Sequence, residues 1–310
     1  MANRIPGLWD GRAVVLNAAV MCTSRSSHSN VNRSASGSRK STPMYRLDYL
    51  PLCTIAGSDP TGGAGLQADL RVFAAHGCHG TAVPTAITVQ DRSGVRNVTG
   101  VDPALVHSQV DVVLADVKPA ALKIGMLGTT MNLEAVADAF DSRPVKNVVL
   151  DPVLSAGAGG SLLPDGAVTR LSERLARHTT LLTPNLPEAA RLLGREEIAP
   201  GGEIDAARAL LAQGWPAVLL KGGHGASPDV QDVLVYGGEL LVLTHPRVAG
   251  GPYHGTGCAL SSAIAARLAQ GETLPAAVRG ATEYLERLLR HAESLGSWLL
   301  PHLSVPTTGA

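Results

Sequence analysis

The feature that most constrains this chain is a repeated pairing. A short apolar run ends in a polar or glycine-rich break, and an amphipathic helix follows. The run YLPLCTIAG (49–57) reads as a strand, and Leu66, Leu70, Phe73 and Ala74 give helical spacing over 66–76. Further strands are predicted at 81–89, 121–124, 147–150, 180–183 and 217–221. Helices are predicted at 103–113, 132–140, 164–177, 187–193, 206–213, 256–270 and 274–295. Segments 232–236 and 239–244 flank Gly237-Gly238, which predicts a hairpin with a primed turn. Such alternation belongs to an α/β fold: a mostly parallel central sheet with helices on both faces. No internal repeat is visible.

Composition narrows the function. The chain has 310 residues, a length that one α/β domain can fill. Lys+Arg and Asp+Glu are both 26, so the net charge is zero and the basic footprint of a nucleic-acid binder is absent. Aromatics are 3%, which argues against stacking platforms for single strands. No run of about 18 apolar residues occurs, so no membrane span is expected. The cysteines at 22, 53, 78 and 258 form no CxxC pair. They suggest neither a zinc knuckle nor a disulfide framework, and a reducing, cytoplasmic setting is expected.

Residues 1–46 stand apart. Eight serines between Ser24 and Ser41 alternate with Arg25, Arg33, Arg39 and Lys40, and Asp10 is the only acid before Asp48. An organelle transit peptide has this composition. The plainer reading, preferred here, is a disordered extension, with Met44 as the working start and the folded domain occupying 47–310. Being polar and aperiodic, residues 1–43 are expected to be dispensable for folding and activity.

In a parallel sheet, ligands gather beyond the carboxyl ends of the strands. The first strand is followed by Gly57-Ser58-Asp59-Pro60-Thr61-Gly62-Gly63-Ala64-Gly65, the second by Gln90-Asp91 and the next by Gly125-Met126. Asp151-Pro152-Val153, Pro184-Asn185-Leu186-Pro187-Glu188 and Lys221-Gly222-Gly223-His224 follow the others. One such loop is common, whereas six in register suggest one built site.

Each motif also has a plain structural explanation. His254-Gly255-Thr256-Gly257-Cys258 opens an alanine-rich helix; it is either an ordinary glycine loop or an anion cradle of free N–H groups. Cys258 is either a small packed residue or a thiol whose pKa the helix dipole lowers. Asn185 and Glu188 have capping-box spacing, yet a carboxylate there could also hold Mg²⁺ through water. Asp151 is a turn residue or a second carboxylate for the same ion. Lys221 is a strand-end cation or a phosphate partner. Gln90 is a loop residue or a reader of an amide-like heteroaromatic edge. His76, His79 and His224 show no ligand spacing. The P-loop signature, G-x-G-x-x-G after a strand and G-x-S-x-G are all missing.

Seven segments then occur in a telling order: AGSDPTGGAGLQADL (56–70), TAITVQDRSGV (85–95), KIGMLG (123–128), VVLDPVL (148–154), TPNLPEA (183–189), LLKGGH (219–224) and HGTGC (254–258). From about residue 50 to about 290 the chain resembles the hydroxymethylpyrimidine/phosphomethylpyrimidine kinases of thiamin synthesis, which are ribokinase-like vitamin kinases. The resemblance implies a ribokinase-like three-layer fold, ATP and Mg²⁺, two successive phosphorylations of one pyrimidine, and usually a homodimer. It implies that Gly57, Ala64, Asp69, Gln90, Met126 and Val153 line the pyrimidine pocket. Asp151 and Glu188 would hold Mg²⁺, with Asn185 and Lys221 near the phosphates. Gly255, Thr256 and Gly257 would form the anion hole. Cys258 stands where sugar kinases of the superfamily carry an aspartate base. The loop LSAGAGGSLL after Val153 and the stretch AGGPY before His254 depart from the family pattern. A pyridoxal kinase and a non-catalytic pyrimidine-binding protein are the alternatives carried forward.

Overall fold

The computed structural model describes residues 50–155, 162–225 and 228–302. The expectations for residues 1–46, and for the centre of the loop after Val153, lie outside the described residues.

Nine strands form one sheet among the described residues. They are β1 (Leu50–Ser58), β2 (Cys78–Asp91), β3 (Gly94–Gly100), β4 (Ala121–Ile124), β5 (Val148–Leu150), β6 (Leu181–Leu182), β7 (Ala217–Leu220), β8 (Asp229–Tyr236) and β9 (Glu239–Pro246). Their order is β3-β2-β1-β4-β5-β6-β7-β8-β9. The pairs from β2 to β7 are parallel, β3 pairs antiparallel with β2 at one edge, and β8 and β9 form an antiparallel hairpin on β7 at the other. The chain leaves β1 on one side towards β2 and later returns on its other side as β4. Such a reversal, at the carboxyl ends of β1 and β4, is where sheets of this kind bind their ligands.

Strand residues alternate between two cores. Ile55, Leu122, Ile124, Leu150, Leu182 and Val218 pack on one face against α2 (Pro103–Val112), α3 (Thr130–Ser142), α4 (Asp165–Leu175), α5 (Leu186–Leu192) and α6 (Glu203–Ala212). Leu52, Ala121, Val149, Leu181 and Leu219 face α1 (Gly65–Ala75), α7 (Thr256–Ala269) and α8 (Leu274–Leu295). The result is the expected helix–sheet–helix sandwich. Its driving force is burial of both sheet faces at roughly 25 cal/mol per Å² of apolar surface.

Differences from the sequence reading are local. The second strand runs longer and turns back as β3, whose polar sequence GVRNVTG carries no clean alternation. A π-turn, Val113–Val117, extends α2. The Gly237-Gly238 hairpin is present with φ of 53° and 85°, the positive values a type I′ turn needs.

Candidate active site

The site is built from loops at the carboxyl ends of the parallel strands, and Asp59 organises the first of them. This carboxylate is 2% exposed. Its Oδ1 accepts from the Thr61 amide at 2.9 Å, and its Oδ2 from the Ala64 amide at 2.8 Å. The Nε2 of His254 lies 2.8 Å from Oδ2, across 195 residues of sequence. Burial would raise the Asp59 pKa, but hydrogen bonds from His254, Gln90, Thr61 and Ala64 outweigh it and hold the carboxyl well below the usual range. His254 is held in turn: its ring stacks on Trp298 at 5.7 Å, and its amide donates to the Trp298 carbonyl.

This link presses the first loop against the start of α7. A Cβ built on Gly255 would stand 1.8 Å from the Gly63 carbonyl oxygen, and Gly255 has φ +83°. Only glycine meets both conditions. Two residues further on, a Cβ on Gly257 would lie 3.2 Å from Lys221 Nζ and 3.3 Å from Asp151 Oδ2. The α7 start therefore faces a cation and a carboxylate, with the N–H groups of its first turn available to an anion.

Lys221 and Asp151 are joined at 2.7 Å, and Thr183 Oγ1 stands 3.4 Å from the same Asp151 oxygen. Burial alone would lower the Lys221 pKa, yet Asp151 and Glu188 raise it and keep the ammonium charged. Asn185 and Glu188 do form the capping box of α5, with both reciprocal bonds at 2.9 Å. Glu188 is buried, which together with the neighbouring Asp151 raises its pKa against the pull of Lys221. Two carboxylates and one lysine thus share a small, mostly buried volume. Such hard oxygen donors suit Mg²⁺.

On the other side of the crevice, a Cβ on Gly57 would meet the Met126 methyl at 2.3 Å. Gly57 and Met126 are therefore in direct apposition, with Ala64 on the adjoining loop. Val153 follows Asp151, and its amide turns back to the Asp151 carbonyl at 2.8 Å. Gln90 is half-buried at the end of β2.

Two expectations are corrected. Asp69 does not line the pocket. It is fully buried, and its carboxylate receives Lys123 Nζ at 2.9 and 3.0 Å, Thr54 Oγ1 at 2.6 Å and Ser262 Oγ at 2.8 Å. The helix dipole also fails to lower the Cys258 thiol. Burial dominates, and despite the opposing charge of Lys123 it pushes the pKa up to about 11.

Asp59, His254 and Lys123 had been given no role from sequence. Asp59 carried a usable signal, since Asp-Pro-Thr is turn chemistry in which a carboxylate binds its own backbone two residues on. Lys123 carried another: a lysine inside the apolar strand ALKI is buried only with a partner.

A glycine-rich helix start meeting a lysine and a carboxylate pair beyond a parallel sheet defines a phosphotransferase of the ribokinase-like vitamin kinase class. The phosphomethylpyrimidine kinase model matches residues 59–302. The Escherichia coli hydroxymethylpyrimidine/phosphomethylpyrimidine kinase is 42% identical over 253 residues, 81% of this chain and 94% of that protein. The thiamine biosynthesis bifunctional protein ThiED of Geobacter sulfurreducens is 42% identical over 243 residues, 78% of this chain; the match spans 50% of ThiED. Bacillus subtilis pyridoxal kinase, solved as an ADP complex, is similar with a TM-score of 0.71 at 33% identity, covering 77% of this chain and 91% of that one. The chain belongs to the phosphomethylpyrimidine kinase family.

Proposed function

We propose that the protein transfers phosphoryl groups from ATP, first to 4-amino-5-hydroxymethyl-2-methylpyrimidine and then to its monophosphate. The observation that carries this reading is the α7 start, where Gly257 faces Lys221 and Asp151 beside the crevice of Gly57, Met126 and Gln90. In this reading the pyrimidine ring packs on Met126 and Gly57, with Ala64 and Val153 completing the pocket, and Gln90 reads the aminopyrimidine edge.

Gly255, Thr256 and Gly257 present backbone N–H groups to the oxygens of the group in transit. Fixed donors of this kind act where charge develops and need no reorganisation. Lys221 neutralises phosphate charge, and Asn185 sits near the phosphates. Asp151 and Glu188 are the residues that would hold Mg²⁺, which when bound supplies charge neutralisation across the phosphate oxygens. Catalysis then rests on positioning and electrostatics. Cys258 lies beside the reacting group, either as acceptor of the hydroxyl proton or as backbone support of the anion hole. A homodimer and a cytoplasmic setting belong to the same reading.

An ATP-coupled assay with the pyrimidine alcohol, its monophosphate and pyridoxal side by side tests it. Turnover of both pyrimidines with pyridoxal far slower is expected. Preference for pyridoxal would transfer the reading to that kinase, and binding without turnover would leave a binding protein.

A further inference from the structure

The segment that follows α8 runs back to the candidate site. Gly296 ends the helix with φ +60°, and the Ser297 amide closes on the Ala292 carbonyl at 2.9 Å, so the chain turns away from the helix axis there. Ser297 Oγ braces the next residues, accepting from the Leu299 amide at 3.1 Å and donating to the Leu299 carbonyl at 2.9 Å. The far end is anchored by burial of Leu300 and His302, and by the Tyr284 hydroxyl, which donates to the His302 carbonyl at 2.8 Å. Between these anchors, Trp298 and Leu299 meet both halves of the junction between the first loop and α7. The Trp298 carbonyl accepts from the His254 amide at 2.9 Å, and the indole stacks on the His254 imidazole at 5.7 Å with 28° between the planes. Leu299 pairs with His254 in an isolated parallel bridge. A Cβ on Gly63 would stand 2.6 Å from the Leu299 side chain and 2.4 Å from the His254 ring.

We infer that residues 296–302 form a strap that belongs to the active site, and that Trp298 is a positioning residue for the α7 start. The inference rests on the phosphate-cradle reading of Gly255, Thr256 and Gly257 above. His254 immediately precedes that cradle. Asp59 holds the tip of its ring and Trp298 covers one face, so the imidazole is fixed at two points. Without the indole that face is open, and the bond to Asp59 alone must hold the ring. The His254 backbone, and with it the amides of residues 255–257, would then be fixed less closely. Donors that stabilise charge in transit must be in place beforehand, and a displacement of about 1 Å can cost up to about 10²-fold in rate. The ring pocket is built separately, since Gly57 and Met126 meet without help from the strap. Trp298 therefore acts on kcat rather than on binding of the pyrimidine.

The test measures kcat and KM for the pyrimidine alcohol with ATP, beside thermal melts. Trp298→Ala should lower kcat about tenfold and leave KM within about twofold, the pattern of a contact that matters only in the transition state. Trp298→Phe, which keeps a flat aromatic face for His254, should recover most of that loss. In a His254→Gln background, Trp298→Ala should cost less than about twofold more, because the indole acts through the imidazole. A lower melting temperature with unchanged kcat would make Trp298 a structural residue only and overturn the inference. So would a second full loss in the His254→Gln background, or a Trp298→Phe protein as slow as Trp298→Ala. Should Trp298→Ala fail to fold, Trp298→Leu, with apolar bulk but no flat face, takes its place under the same expectations. A wild type that phosphorylates neither the pyrimidine alcohol nor pyridoxal would remove the cradle reading itself. An active wild type with Trp298→Ala equally fast would remove the inference alone.

Discussion

Gly255 and Gly63 lie so close that a single added carbon on Gly255 would overlap the Gly63 carbonyl, at 1.8 Å. The contact joins the loop that follows β1 to the start of α7. The Asp59–His254 pair at 2.8 Å holds the same two segments together. The two segments are therefore one junction, although Gly63 and Gly255 are 192 positions apart in the sequence.

Gly255→Ala should damage both fold and catalysis. The left-handed backbone costs about 1–2 kcal/mol for a residue with a side chain, and the clash adds to it. Displaced anion-hole amides should lower kcat by about 10²-fold or more. Gly271 is the control, because it also has positive φ, +88°, but no atom stands within 4 Å of its added carbon. Gly271→Ala should lose a comparable backbone cost and keep its kcat. Equal kinetic losses in the two variants, measured beside denaturant melts, would refute the contact argument.

The buried Lys123–Asp69 pair should behave as a unit. Both side chains have zero exposure. Removing one partner leaves an uncompensated charge, so Lys123→Met should cost roughly 3–5 kcal/mol in urea unfolding. Adding Asp69→Asn to that variant should restore part of the loss, because the stranded charge is gone. A double variant no more stable than Lys123→Met would show that the hydrogen bonds to Thr54 and Ser262, rather than the charge, dominate.

Cys258 is a protonated thiol at neutral pH, with burial holding its pKa at about 11. Alkylation at this residue, followed by mass spectrometry, should be slow at pH 7 and quicken about tenfold per pH unit up to that value. A plateau below pH 9 would contradict the burial argument. A protonated thiol cannot accept the hydroxyl proton, so Cys258→Ser should slow phosphorylation of the alcohol and of the monophosphate to the same extent. A general base contributes about 10²–10⁴ in rate. A loss of that size confined to the alcohol would show that Cys258 acts as the base after all, with its pKa lowered in the substrate complex.

His302 should make the fold acid-sensitive. It is buried, and desolvation lowers its pKa from 6.5 to about 4. The unfolded chain takes up the proton first as pH falls, so this contribution is complete above about 6.5 and is lost progressively from there to about 4. The full effect is on the order of 3 kcal/mol. His302→Leu should flatten the fall of melting temperature over that window. A wild-type profile unchanged by the substitution would show that other groups set the acid limb.

Much of this protein was legible in advance because the relevant signals are local. Apolar runs and helical spacing located most of the elements, and Asn185 with Glu188 announced a capping box that formed. β3 escaped because an exposed edge strand has no buried face to impose alternation: residues 94–100 are half-buried or exposed throughout. Asp59 and Lys123 passed unassigned because a carboxylate or an ammonium says nothing of its partner.

The sequence by itself determined the sandwich and the set of loops that converge at one end of its sheet, since hydrophobic period and glycine placement act within a few residues. Only the tertiary structure decided what the charged groups do. Asp69 is joined to Lys123 across 54 residues and to Ser262 across 193, and so belongs to the interior rather than to the pocket. Cys258 opens a helix whose dipole favours a thiolate, yet the desolvation of this partly buried thiol keeps it protonated. Desolvation is a property of the packed surroundings, and it outweighs a dipole that can be read from one helix alone.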